Sequence, residues 1–320
     1  LTGIGRAWAA RSNRLEPIGD RPLVAAKGEL VYVSDGNGGG LSKVIVDYLD
    51  FYLNGKISKD VSIVVQQHVV DGGMPGYNRD AYVQYQRPRS RYVAGDMALP
   101  LPIDPERFRP LHEDYLVFDQ SVGANPFSLS EPHPALGAYF GDAIRGPELG
   151  GFALAGHEQG SGVPQTGTDS ALEVTQRMPG LLLFALRYDG TRTLSGLPDR
   201  FWRECYTAIA DRGPWTLSTL YTRGYDANAG LGLEARSSGG LVMLHRDLDE
   251  RTFVEARYEG VADTLGNFQR LGVVGVGTSF AHHIRVTVED GITRDTRTHN
   301  MLHLVTAVGD SDAPVDGSSY

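Results

Sequence analysis

The 320-residue sequence contains a single cysteine, Cys205. That excludes an intrachain disulfide framework and any Cys-x-x-Cys metal or haem pair. Long apolar runs are also missing: the longest, Leu181–Leu186, has six residues, against the ~18 that a spanning helix needs. Helical membrane spans are therefore excluded. A transmembrane barrel is not, because its strands need only ~9–11 residues and hide their hydrophobicity by alternation. Lysine is scarce, with four (Lys27, Lys43, Lys56, Lys59) among 30 basic residues. Arginine thus carries the positive charge, and its fixed fork suits ion-pair ladders on a wet inner wall or a soluble surface. A net charge of −9 argues against a nucleic-acid partner, since phosphate contact needs a basic surface. No signal-peptide pattern opens the chain, as expected of a processed or partial sequence.

Glycine, by contrast, is abundant at 40 residues, which suits tight turns and close strand packing better than long helices. The stretch Asp47–Tyr85 sets the pattern. Runs Val44–Ile57 and Val61–Asp71 are separated only by Ser58–Asp60, and the glycine-rich Gly72–Asn78 leads to a third run, Asp80–Gln86. Strand, tight turn, strand, long loop, strand is an up-and-down meander. Similar runs follow at 91–100, 135–142, 146–157, 168–177, 181–189, 200–211, 215–224, 230–237, 240–247, 252–261, 268–280, 283–290 and 299–309. They are preceded by 23–35, and residues 2–12 offer one more. Short connections at 58–60, 88–90, 178–180, 212–214 and 238–239 interleave with long ones at 72–78, 101–134, 158–167, 190–199 and 225–229. After residue 240 that phase weakens, because 248–251 and 281–282 are short where long loops are due. A membrane barrel has such turn asymmetry and an even strand number. The expected fold is all-β, a transmembrane antiparallel up-and-down barrel of about 16 strands, with 18 as the neighbouring count. The run with the weakest pattern is 135–142. One domain spans 1–320, with an N-terminal segment 1–22 and a polar tail 310–320.

Alternation assigns faces. Val254, Ala256 and Tyr258 oppose Glu255, Arg257 and Glu259, and Ile284, Val286 and Val288 oppose Arg285, Thr287 and Glu289. If the apolar set meets lipid, Glu255, Arg257, Glu259, Arg285 and Glu289 line the lumen and set its field; each also suits a wall-stabilising ion pair. Leu182, Phe184, Leu186 and Tyr188 share a face. Tyr85, Tyr92, Trp202, Trp215, Tyr221 and Tyr225, near run ends, suit interfacial girdles. The segment 100–134 has no counterpart elsewhere. It carries seven prolines, yet Phe108, Leu111, Tyr115–Phe118 and Phe127 argue for packing rather than disorder. It reads as a loop folded into the barrel mouth, with Arg107 and Arg109 as constriction candidates.

Signs of chemistry are few. His282, His283, His299 and His303 lie near one another, but adjacent residues face opposite sides of a strand and no convergent ligand set completes a metal site. His245–Leu248 matches the opening of a kinase catalytic loop without the rest of that machinery. Gly36–Gly40 and Gly272–Gly277 lack the strand-to-helix context of a phosphate cradle. Glu158, Asp169 and Glu173 form no catalytic dyad. Neither an enzyme nor a metal or cofactor site is read from the chain.

Phe51–Lys56 (FYLNGK), Val61–Val65, Asp80–Tyr85 (DAYVQY) and Tyr92–Pro100 (YVAGDMALP) resemble, in order, segments of the phosphate-selective porin O and P type of outer-membrane porin. Asp114–Phe127 resembles the loop that follows and Ala135–Gly156 the return strands, so the likeness covers about 25–160. The resemblance implies a 16-stranded barrel, often trimeric, in the bacterial outer membrane, with loops narrowing its lumen. Phosphate-selecting members use lysine-rich constrictions, which four lysines do not supply. The usual terminal aromatic is also displaced, since Tyr320 ends a polar tail. The expected function is passive diffusion of small hydrophilic solutes or ions. A barrel sleeve around an electron-transfer cytochrome, whose haem a partner chain or missing segment would supply, is the alternative. A soluble or surface β-rich binding protein is the third reading.

Overall fold

The structure is a computed structural model; it describes residues 23–34, 43–71, 74–103, 115–119, 121–142, 146–155, 168–281, 284–293 and 297–309. The chain begins with β1 (Leu23–Ser34), β2 (Lys43–Lys56), β3 (Val61–Asp71), the two-residue β4 (Met74–Pro75), β5 (Asn78–Arg87) and β6 (Ser90–Ala98). A single helical turn, α1 (Leu116–Asp119), interrupts the strands before β7 (Pro132–Gly141), β8 (Pro147–Ala155) and β9 (Thr168–Met178). Then come β10 (Leu181–Leu194), β11 (Leu197–Arg212), β12 (Trp215–Asp226) and β13 (Ala235–Asp247). The wall finishes with β14 (Thr252–Asp263), β15 (Phe268–Ala281), β16 (Ile284–Thr293) and β17 (Arg297–Gly309). Every long strand pairs antiparallel with its neighbours in sequence, and β1 pairs with both β2 and β17. The ring is therefore closed. With β4 a short addition to β3, sixteen strands among the described residues form the wall, as expected.

The sequence runs exceed this count by one, because a single strand reads as two. Run 135–142 is a true strand, β7, whereas 230–237 and 240–247 are one strand, β13. The Ser237–Gly240 stretch imitates a turn, but Gly239 faces inward where space is short. A Cβ there would meet Thr222 Oγ1 at 2.8 Å and Val261 at 3.1 Å, so the glycine serves packing inside a strand. Removing that false break restores the phase, and 248–251 joins the short-turn end. The expected long loop at 190–199 is also absent. There, β10 and β11 meet through Ser195-Gly196, both with positive φ (51° and 79°), the two-residue hairpin that matches strand twist. At the opposite end, Pro179-Gly180, with Gly180 at φ 70°, has the residues of a type II turn. Asp249 holds the 248–251 turn by accepting from the N–H groups of Arg251 (2.7 Å) and Thr252 (2.8 Å). Those bonds keep its carboxyl below the usual range. Residues 2–12 and the tail 310–320 lie outside the described residues.

Burial alternates along the wall with period two. The outward positions carry exposed Leu136, Leu149, Leu172, Val174, Leu217, Val242, Leu244 and Val274. So much exposed apolar surface is what a bilayer-spanning wall requires. Tyr85 and Tyr92 stack near the short-turn end, ring centroids 6.2 Å apart, with exposed Trp215 at that end too. Tyr206 and Tyr221 stack at 6.5 Å farther toward the long loops, near Trp202 and Tyr225. Aromatics thus bracket the apolar band. Val242→Arg, in mid-band, should destabilise the barrel by about 2–4 kcal/mol in a bilayer, read from denaturant unfolding in liposomes. A change near zero would mean that this face meets water.

Candidate functional site

The interior departs from a simple polar lumen. Leu182, Phe184, Leu186 and Tyr188 of β10 point inward and are buried. Together with Phe152, Leu154, Phe201, Leu220, Leu241 and Met243 they form a continuous apolar patch. Charged Arg187 and Asp189 on the same strand face outward and pair with each other at 2.7 Å. The reason lies in the connection between β6 and β7. Its Leu99, Leu101, Ile103, Tyr115, Phe118, Phe127 and Leu129 are buried in the same cluster as the inner wall. The segment folds into the barrel, and the wall is apolar where the segment lies against it.

Two polar anchors fix this segment. At the first, α1 packs on β13–β15, and Tyr115 lies under Arg257 with the guanidinium 3.9 Å from its ring centre. Arg257 forms an ion pair with Glu259 at 2.9 Å, and the Val117 N–H donates to Glu259 Oε2 at 3.4 Å. The Tyr115 hydroxyl reaches Met243 Sδ at 4.0 Å. Burial pushes its phenol up to about 12, so it remains neutral and holds its donor proton. Glu255 completes the row by pairing with His245 Nδ1 at 3.0 Å.

The second anchor sits toward the long-loop end of β11 and β12. Asn125 Nδ2 donates to Asp226 at 2.7 Å and to Asp199 at 3.2 Å. Arg203 donates to both Asp226 oxygens at 2.9 and 3.0 Å. The Asn228 N–H donates to Asp199 at 2.8 Å. Asn125, Asp199 and Asp226 are each 0% exposed, so this is a charged cluster sealed from water and internally satisfied. Beside it, Phe127 meets Tyr188 at 4.3 Å and Phe201 at 5.0 Å. Backbone locks the same region: Ala124 N–H donates to Ala229 O at 2.7 Å. Gly123 there has φ +59°, and an added Cβ would come within 2.2 Å of Ala229 O. Gly123→Ala should therefore cost about 1–2 kcal/mol for the left-handed backbone alone, with the clash on top, read as a lower thermal midpoint.

The expected lumen residues can now be located. Glu255, Arg257 and Glu259 face inward on β14, buried, and two of them grip the infolded segment. Arg285 and Glu289 face inward on β16 and are also buried; register sets Glu289 beside Gly275, which in turn neighbours Glu255. Arg107 and Arg109 lie outside the described residues, as do His282 and His283. The opposite wall is polar too: on β2 and β3, His68 pairs with Asp50 at 2.5 Å and Tyr52 donates to Asp50 at 3.0 Å. The sequence reading missed Tyr115 as a ligand of Arg257 and missed the whole Asn125–Asp199–Arg203–Asp226 cluster. Asp199, Phe201 and Arg203 do share one strand face at period two, the signal that would have set them inward. Among the described residues, no group of three or more His, Cys, Asp or Glu side chains is arranged to hold a metal ion.

No protein-family model matches the chain, and no curated protein does. Solved structures do. Salmonella typhi OmpF aligns with TM-score 0.67 at 13% identity, over 90% of this chain and 97% of its own. The anion-selective porin from Comamonas acidovorans aligns with TM-score 0.65 at 9% identity, over 90% and 97%. OmpT, an outer-membrane protein of Vibrio cholerae in a trimer form, gives 0.57 at 12% identity, over 90% and 98%. Closed wall, inward-folded loop and these likenesses agree: the chain has the fold of the outer-membrane porins.

Proposed function

We propose that this chain is a porin-type channel in the outer membrane of a Gram-negative bacterium, passing small hydrophilic solutes or ions by passive diffusion. The observation that carries this reading is the connection between β6 and β7, whose described parts (99–103, 115–119 and 121–131) fold inside a closed sixteen-strand wall and are pinned there by two polar anchors. A barrel of that size otherwise leaves a wide aqueous lumen, and an internal segment narrows it into a filter. In the proposed channel Arg285 and Glu289 contribute to the field along the path. Arg257 and Glu259 hold the constriction in position, with Glu255 beside them on the inner wall, and Arg107 and Arg109 are its proposed charged tip. The likeness of 25–160 supports the phosphate-selective O and P type, while four lysines and a net charge of −9 speak against phosphate as the preferred solute. A homotrimer is the proposed assembly, the form in which the Vibrio neighbour is described. The channel needs no cofactor and performs no chemistry.

Liposome swelling tests this reading. Vesicles carrying the folded barrel should swell in small sugars, and progressively more slowly as the sugar grows. A folded barrel that admits no sugar of any size would exclude diffusion through it.

A further inference from the structure

The pinned segment and the acids beside it bear on which ions the proposed pore favours. Register sets Glu255, Gly275 and Glu289 in one row across β14, β15 and β16. Phe253 and Val273 lie in the rows on either side, and Leu116 of α1 packs on the cluster that they form with Leu271. The row therefore stands where the segment narrows the interior. Gly275 puts no side chain between the two carboxylates, whose strands are two spacings apart, ~10 Å at ~4.8 Å each.

Both glutamates are buried, and a charge held out of bulk water acts through a field that salt screens weakly. Little positive charge stands on this face to cancel Glu255. It meets His245 Nδ1 at 3.0 Å, and His245 is shared with Asp247 at 3.2 Å. The other oxygen of Glu255, Oε1, has no hydrogen-bond partner among the described residues. Arg257, next along the strand face, is paired with Glu259 at 2.9 Å. Arg285 stands four residues from Glu289 toward the short turns, its guanidinium 5.9 Å from the Phe253 ring centre. A buried carboxylate oxygen without a donor costs free energy. A passing cation lowers that cost and a passing anion raises it.

The rest of the interior has the same sign. Among the described residues, buried carboxylates outnumber buried arginines. Arg107 and Arg109 do not reverse the balance, because the stretch 104–114 also carries Asp104, Glu106, Glu113 and Asp114. An anion filter needs basic rings instead.

We propose that the pore prefers small cations to anions, and that Glu255 and Glu289, set across Gly275, determine that preference. The inference rests on the pore reading and adds to it the sign of the field and the residues that set it.

The reversal potential of the purified channel between unequal potassium chloride solutions in a planar bilayer tests it. Potassium should permeate at least about fivefold better than chloride in the wild type. Glu255→Gln combined with Glu289→Gln should lower that ratio at least about threefold, with discrete conductance steps retained. Glu289→Gln alone, which leaves the Glu255–His245 pair intact, should lower it in the same direction and carries the test if the double variant does not fold. Glu148→Gln removes a buried carboxylate away from the row, paired with Arg91 and Arg177 at 3.8 Å each, and should leave the ratio unchanged. A wild-type channel that conducts but prefers chloride overturns the inference and spares the pore. An unchanged ratio in the glutamine variants of the row, or an equal fall in Glu148→Gln, overturns the assignment to Glu255 and Glu289. A barrel that inserts and never conducts overturns the pore reading itself, and the inference with it.

Discussion

Arg257→Met should destabilise the barrel by about 3–5 kcal/mol, the cost of stranding buried carboxylates when one partner of a buried pair is removed. Arg257 is 2% exposed and Glu259 0%, so water cannot take over the lost interaction. The substitution also removes the contact over Tyr115, and a desolvated cation–π pair contributes about 2 kcal/mol. Urea unfolding in detergent reads the loss as a lower midpoint. Arg257→Lys should fall between, since it keeps the charge but loses the planar stack and the fork. Adding Glu259→Gln to Arg257→Met should recover part of the stability, because the stranded charge is then gone. If the double variant were less stable by the full sum of the singles, Arg257 and Glu259 would not be acting as a pair.

Arg203→Met should be comparably severe, again about 3–5 kcal/mol. Asp199 and Asp226 would keep only Asn125 and the Asn228 N–H as donors. Asn125→Ala should cost less, about 1.5–3 kcal/mol, the range for hydrogen bonds to charged groups. The two variants share one readout beyond stability: each should free the segment around Phe127 and widen the passage. Limited proteolysis should then cut within 99–131 at protease levels that leave the wild type whole. Equal resistance in all three proteins would mean that the cluster braces the wall without fixing the segment.

The wall was legible because period-two alternation is local: Val254, Ala256 and Tyr258 declare one face and Glu255, Arg257 and Glu259 the other without knowledge of anything distant. Strand ends were legible where turn chemistry agreed, as at Pro179-Gly180. They were misread where glycine serves packing, as at Gly239, and where a serine takes a left-handed conformation, as at Ser195. The interior was far less legible. An inward apolar face such as Leu182–Tyr188 is the same string of residues as a lipid-facing one. Only the segment that packs on it, arriving from residues 99–131, decides between them. The same holds for Asn125, whose partners are 74 and 101 positions away. Glu255, Arg257 and Glu259 were legible as inward charges, but the grip of Arg257 and Glu259 on Tyr115 and Val117 depends on a fold that no local spacing encodes.

The central claim is that an internally pinned segment narrows a conducting barrel, and single-channel recording in a planar bilayer tests it most directly. The purified wild type should give discrete, reproducible conductance steps, and Asn125→Ala should give larger steps at unchanged strand content. Wild-type protein that inserts without any steps, or steps of identical size in both proteins, would contradict the account.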